Sequence, residues 1–155
     1  MTILHSKYVA GPFRVPAAQW AGDVVAVRYE FAMPVDVVDG DIVELGILPA
    51  HHTVFDAWLD SDDIDSGTAM VVDVGLMSGD VGEDFNADGT TPRTIGEEFL
   101  KDLTTGQAGG VVRATLATAF RIVPTDKDRS IGVVVQTAGS APEVGSIGLT
   151  VFYGT

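Results

Sequence analysis

Hydrophobic and polar residues alternate along much of the chain, which is typical of β-strands with one buried face. The clearest strand is predicted over residues 24–33, where Val25, Val27 and Tyr29 share one face and Arg28 and Glu30 the other. Further strands are predicted over residues 69–77, 111–123, 131–135 and 147–153, with weaker candidates over residues 42–48 and 54–59.

Turn-forming pairs separate these segments, among them Asp39-Gly40, Asp88-Gly89 and Gly109-Gly110. Only residues 94–103 predict a helix, because Thr94 and Glu97 fit a capping box. About seven short strands with one short helix predict an all-β fold. We expect an antiparallel β-sandwich or barrel, with a jelly-roll-like topology as one possibility.

The first 22 residues differ from the rest and predict an extended N-terminal arm. Prolines at 12 and 16 favour extended backbone, and Tyr8, Phe13 and Trp20 are spaced along the segment as candidate binding anchors. Residues 23–155 then form a single β domain. Two roles stay open for the arm: a strap packed on its own domain, or one that reaches across a neighbouring subunit.

The charge of the chain is strongly acidic and unevenly distributed. The sequence has 22 Asp and Glu against 9 Lys and Arg, a formal charge of −13, which argues against nucleic acid as a partner. Residues 1–22 contain no acid, whereas residues 29–92 contain fifteen acids and no Lys or Arg. We therefore expect the arm or a less acidic face to contact a partner while the acidic loops face water or cations.

Other features narrow the class of protein. The absence of cysteine excludes disulfides, thiolate metal sites and thiol nucleophiles. No apolar stretch approaches the roughly 20 residues that span a bilayer, so no membrane partner is expected. The first 22 residues lack the apolar core of a secretory signal, which, with the absence of cysteine, suits assembly in a reducing cytoplasm.

The sequence lacks recognisable catalytic motifs, which predicts that the protein is not an enzyme. Ser146 lacks the spacing of a nucleophile elbow, and no phosphate-binding glycine motif occurs. The three histidines, His5, His51 and His52, fit surface turns. A pair of acid–base carboxylates is the remaining enzymatic alternative, and 22 acids make any chosen pair a weak signal.

One acidic segment is a candidate calcium site. Asp84, Asn86 and Asp88, followed by Gly89, match the start of an EF-hand loop, but Ile95 occupies the position of the bidentate glutamate. A solvated turn is the alternative, and no other cofactor is expected. A second acidic cluster consists of Asp60, Asp62, Asp63 and Asp65. Three explanations stay open for it: a bound cation, a basic partner or plain solvation.

Several segments together resemble small virion structural proteins of tailed bacteriophages, the group that includes capsid decoration (cement) proteins. The segments are Leu48-Pro49-Ala50, Val54-Phe55-Asp56-Ala57-Trp58-Leu59-Asp60, Asp62-Asp63-Ile64-Asp65-Ser66-Gly67-Thr68-Ala69, Val72-Asp73-Val74-Gly75-Leu76 and Thr105-Gly106-Gln107-Ala108-Gly109-Gly110-Val111. The resemblance covers roughly residues 42 to 153.

The resemblance implies a non-enzymatic, β-rich protein, commonly a homotrimer, that binds the major capsid protein and stabilises the lattice from the outer capsid surface. Two alternatives stay open. One is another virion component, of the tail or the head–tail junction. The other is a calcium-dependent β-sandwich that binds carbohydrate or protein.

Overall fold

The alternating segments pair into two β-sheets that face each other across one hydrophobic core. The computed structural model describes residues 1–11 and 13–155. Within these residues nine strands occur: β1 (Ile3–His5), β2 (Val24–Met33), β3 (Ile42–Leu48), β4 (Thr53–Ser61), β5 (Val71–Leu76), β6 (Leu100–Leu103), β7 (Gly110–Arg113), β8 (Arg129–Thr137) and β9 (Gly145–Gly154). The prediction of an all-β sandwich is confirmed.

The four-stranded sheet has the order β2-β9-β4-β7 and is antiparallel throughout. Strands β2 and β9 pair over ten residues without a bulge. Val27, Tyr29 and Met33 point into the core from β2, as the alternation predicted. The side chains between them point outward and leave one face of this sheet open.

The five-stranded sheet has the order β1-β3-β8-β5-β6. Its pairs are antiparallel except β1 with β3, which run parallel with Ile3 opposite Ile42. Val43, Leu45, Val74 and Val133 bury their side chains against the other sheet. Residues 77–97 cross the other side of the five-stranded sheet, which faces away from the core. There Ile95 packs with Met77, Ile42 and Val134.

The helix predicted over residues 94–103 is wrong. The backbone amides of Phe99 and Gly96 donate to the carbonyls of Val74 (3.0 Å) and Leu76 (2.9 Å), and the Glu98 carboxylate accepts from the Leu76 amide (2.8 Å). Residues 100–103 then form β6. Pairing with the edge of β5 satisfies backbone groups of both segments, which a helix would have left unpaired along β5.

The long strand predicted over residues 111–123 is also only partly correct. Strand β7 ends at Arg113, and a 3₁₀ helix at Ala117–Arg121 follows. This helix packs on β4 and buries Ala119, while Ile122 just after it is also buried. A second 3₁₀ helix spans Thr105–Gln107. In the described part of the chain, no helix is long and apolar enough to cross a membrane.

The strand registers define two opposite ends of the sandwich. Met33 pairs with Gly145 at one end, and Val24 pairs with Gly154 at the other. The end near Met33 carries the loops of residues 34–41, 62–70 and 138–144, and we call it the acidic tip. The end near Val24 carries residues 18–23, 49–52 and 122–128, and we call it the arm end.

Candidate interaction surfaces

The N-terminal segment is attached to its own domain at both ends. After β1, the Ser6 amide donates to the Glu44 carbonyl (3.0 Å) and the Ser6 hydroxyl to the Leu45 carbonyl (2.6 Å). Further along, the Pro16 carbonyl accepts from the Tyr153 hydroxyl (2.5 Å), and the Ala18 amide donates to His52 Nε2 (2.9 Å). The described residues on either side of position 12 are therefore fixed to the domain.

The three predicted anchor residues have different environments. Tyr8 is half-buried and packs edge-on against Tyr29 of β2, with ring centroids 5.0 Å apart. Phe13 is 49% exposed, and the Lys7 ammonium lies 5.2 Å from its ring centroid. Trp20 is 75% exposed. Tyr8 thus packs within the domain, whereas Phe13 and Trp20 are available to a partner.

A buried charged network joins β1, β3 and the segment over the five-stranded sheet. Arg93 Nη1 donates to Glu44 Oε1 (2.9 Å), and both side chains are fully buried. Arg93 Nη2 bonds to the Ser130 hydroxyl (2.8 Å), and the other Glu44 oxygen lies 2.6 Å from His5 Nδ1. Sequence reasoning missed this network. The available signal was that Arg93 is the first basic residue after a stretch of fifteen acids.

The acidic tip contains seven acids and no Lys or Arg: Asp36, Asp39, Asp41, Asp62, Asp63, Asp65 and Glu143. Several of these carboxylates hold the loops together. Asp39 accepts from the Ala138 amide (2.7 Å), and Asp62 from the Ser146 amide (2.8 Å). The tip is therefore a highly charged but well-organised surface.

Asp65 is the central residue of the tip. Its side chain is buried and accepts four backbone N–H bonds, from Ala141 (2.7 Å), Met70 (3.0 Å), Gly67 (3.1 Å) and Ala69 (3.2 Å). The bond from Ala141, together with the other three, lowers the pKa of Asp65 to about 2. The carboxylate thus fastens two loops to each other.

The arm end is less acidic and more apolar. Its loops carry three acids, Asp23, Asp126 and Asp128, together with Lys127, whose ammonium pairs with Asp80 of the neighbouring segment (3.3 Å). Trp20 and Val123, which is 73% exposed, project from it. The loops are linked, since Ala18 bonds to His52 and the His51 amide donates to the Thr125 carbonyl (2.7 Å).

The candidate calcium loop is internally hydrogen-bonded. Asp88 accepts from the backbone amides of Thr90 (3.0 Å) and Thr91 (2.8 Å). Its bond from the Thr91 hydroxyl, with these amides, lowers the pKa of Asp88 to about 2. Asn86 donates to the Pro92 carbonyl (3.1 Å), and Asp84 lies 3.5 Å from His5. The described residues place no three His, Asp or Glu side chains together as a metal site; calcium binding stays a prediction.

The outward side of the four-stranded sheet, which we call the open face, carries an apolar groove. The groove has a volume of about 470 Å³ and is lined by Trp58, Asp60, Val111, Thr150 and Phe152. Trp58 is 42% exposed and Val111 64%. Both lie on the β4–β7 side of the sheet, where Val111 pairs with Asp60.

Ion pairs nearly balance the charge of the open face. Arg28 bonds to Asp60 (2.5 Å) and Glu30 (2.9 Å), and the bond to Asp60 raises the pKa of the guanidinium. On the other side of the groove, Arg113 Nε bonds to Asp56 (2.8 Å). Aromatic side chains and arginines are enriched in protein–protein interfaces. The open face therefore has the composition of a protein-binding surface.

Comparisons with solved structures place this fold among phage capsid components. A chain from the capsid of Ralstonia phage GP4 is 39% identical, with a TM-score of 0.90, over 99% of this chain and 98% of that one. A chain of the cyanophage Pam1 capsid asymmetric unit is 18% identical, with a TM-score of 0.62, over 91% of both chains. A chain of the acidic stable capsid of Helicobacter pylori bacteriophage KHP30 is 15% identical, with a TM-score of 0.53, over 84% of this chain and 86% of that one.

The three capsid chains differ in how much they share with this protein. The cyanophage and Helicobacter phage chains show a shared fold only, whereas the Ralstonia phage chain matches in sequence and fold over nearly its whole length. No protein-family model and no curated protein sequence matches the chain. The chain belongs to the same family as the Ralstonia phage GP4 capsid chain, and it is a non-enzymatic structural protein of a bacteriophage virion.

Proposed function

We propose that this protein is a capsid decoration (cement) protein that binds the major capsid protein on the outer surface of the virion as a homotrimer. The proposal is supported by the whole-length similarity to a chain from the capsid of Ralstonia phage GP4. It is also supported by the resemblance of residues 42 to 153 to virion proteins of the decoration type. The two ends of the sandwich differ in charge and exposure, which supports one orientation of the protein on the capsid.

The orientation in this proposal rests on the charge difference between the two ends of the sandwich, whereas the similarity to the capsid chain carries the decoration function itself. The acidic tip has seven acids and no basic residue, whereas the loops of the arm end have three acids and Lys127. Fixed charge of one sign favours solvent and opposes close packing of identical copies. The acidic tip is therefore suited to face outward on a densely covered shell.

The arm end is suited to contact the capsid. Trp20 is 75% exposed there, although the backbone beside it is held by the bond between Ala18 and His52. A large aromatic side chain on an ordered segment binds with little loss of conformational entropy. Trp20 would thus act as the anchor that enters a pocket of the capsid lattice, with Val123 widening the contact.

Co-sedimentation with capsids that lack this protein tests the proposal. We expect the wild type to pellet with the capsids, and Trp20→Ala and Val123→Asp to reduce binding at least tenfold. Val144→Asp is the matched control, because Val144 is 87% exposed but lies at the acidic tip. It should bind like the wild type.

Failure of the wild type to bind capsids at micromolar concentration would contradict the decoration function. Binding that Val144→Asp abolishes, while Trp20→Ala and Val123→Asp leave it unchanged, would reverse the orientation. Retention on isolated tails instead of capsids would favour a tail component.

A further inference from the structure

We propose that Phe13 of one copy docks into the open-face groove of a neighbouring copy, so that copies join head to tail into a ring. The inference deepens the proposed function, because it assigns surfaces to the homotrimer that this function includes. It concerns contacts at the sides of the sandwich. The capsid contact proposed above lies at one of its ends.

The inserted surface, which we call the arm patch, consists of Lys7, Phe13 and Arg14. All three side chains are exposed, and Lys7 lies over the Phe13 ring. Behind them, Tyr8 packs against both Phe13, with centroids 5.5 Å apart, and Tyr29 of β2. This packing places the arm patch on the β2 side of the molecule and supports Phe13 in an outward position.

The receiving surface is the groove formed by Trp58, Val111 and Phe152. Trp58 and Val111 belong to β4 and β7, at the edge of the sheet opposite β2. A contact between two different surfaces is heterologous, and it closes into a ring when the rotation between copies fits. The arm patch, on the β2 side, and the groove, on the β4–β7 side, lie on opposite sides of the molecule, as a head-to-tail contact requires.

Charge favours a second copy's arm patch as the occupant of the groove. Residues 1–22 contain Lys7 and Arg14 and no acid, in a chain whose net charge is −13. The groove is flanked by Asp56, Asp60 and Glu30, against Arg28 and Arg113, so its charged surroundings sum to −1. The basic and aromatic arm patch is attracted to the net negative charge around the groove. Two open faces packed on each other would instead bring two negatively charged surfaces together.

Mass measurement in solution with two complementary variants tests the inference. We expect the wild type to have three times the mass of the 16.3 kDa chain. Phe13→Asp removes the inserted side chain and Val111→Asp spoils the groove, so each alone should give monomers. Val144→Asp, at the acidic tip, should keep the mass of the wild type.

Mixing the two monomeric variants gives the decisive result. Phe13→Asp retains an intact groove and Val111→Asp an intact arm patch, so an equimolar mixture should form a dimer that neither variant forms alone. Circular dichroism and melting temperature would confirm that both variants are folded. A mixture that stays monomeric would overturn the head-to-tail contact, and so would a Phe13→Asp variant that keeps the full mass.

The two proposals can fail separately. A monomeric wild type that still pellets with capsids would overturn this inference and leave the decoration function standing. A trimeric wild type that responds to both variants as expected, but does not bind capsids, would retain the ring and overturn the decoration function.

Discussion

The guanidinium of Arg93 donates to the carboxylate of Glu44 at 2.9 Å, and neither side chain is accessible to solvent. Arg93 also donates to the carbonyls of Ser78 (2.6 Å) and Glu83 (2.8 Å). The pair therefore fixes the segment that crosses the five-stranded sheet to β3 beneath it. It also reaches the N-terminal strand, because Glu44 contacts His5.

Replacing Arg93 should destabilise the protein strongly. Arg93→Met leaves the Glu44 carboxylate buried without its charged partner, which typically costs about 3–5 kcal/mol of unfolding free energy. Urea denaturation measures the change. Lys101→Met, which removes the exposed pair with Glu97, is the control and should cost less than about 1 kcal/mol. An Arg93→Met variant as stable as this control would show that the network contributes little.

The stability of the acidic tip should depend on pH through Asp65. Because folding lowers its pKa from 3.8 to about 2, the ionised carboxylate stabilises the native state above pH 3.8, and this contribution is lost as the pH falls toward 2. Asp65→Asn should therefore melt at a lower temperature than the wild type near neutral pH, with the difference shrinking below pH 3.8.

Melting curves from pH 2 to pH 7 provide the measurement for Asp65. Asp63→Asn is the matched control, because Asp63 is an exposed acid in the same loop. It should follow the wild-type curve closely. A constant difference between Asp65→Asn and the wild type at every pH would mean that the charge of the carboxylate is unimportant there.

The aromatic residues of the arm should separate into stabilising and binding roles. Tyr8→Ala removes the edge-on contact with Tyr29 and should lower the unfolding free energy by at least about 0.5–1.5 kcal/mol. Trp20→Ala removes an exposed side chain and should change stability by less than about 0.5 kcal/mol. Chemical denaturation measures both. Equal losses for the two variants would contradict the different environments of the two rings.

The extended path of residues 94–99 can be tested at Gly75. A Cβ atom at this position would lie 2.0 Å from the carbonyl oxygen of Gly96, so Gly75→Ala should cost about 1–3 kcal/mol through overpacking. Val71→Ala, in the same strand but only half-buried, is the comparison and should cost less. A neutral Gly75→Ala variant would mean that residues 94–99 do not approach β5 this closely.

Calcium binding at Asp84, Asn86 and Asp88 is tested by calorimetric titration. The carboxylate of Asp88 would have to exchange its bonds from Thr90 and Thr91 for the ion, so we expect binding no tighter than about millimolar. Any heat observed should disappear in Asp88→Ala. Submicromolar binding would contradict this expectation and would support a preformed site.

The residue pattern predicted the sandwich because local alternation already encodes which side of a strand is buried. Val27 and Tyr29 are buried and Arg28 is exposed, as their spacing indicated. The same local reasoning failed at residues 94–103. There the capping signal of Thr94 and Glu97 competes with the unpaired edge of β5, and this edge is visible only once the chain has folded.

The candidate surfaces show the same division. The sequence by itself determined an acid-free arm with three aromatic anchor candidates, an acidic central block and the absence of cysteine. Only the tertiary structure decided that Tyr8 packs inward while Phe13 and Trp20 face solvent, and that Arg93 is buried against Glu44.

The physical reason for this division is the range of the interactions. Alternation and composition are properties of neighbouring residues, and they can be read along the chain. The groove of Trp58, Val111 and Phe152 and the loops fastened by Asp65 each combine segments more than 30 residues apart. Their positions depend on strand order and register, which no local pattern specifies.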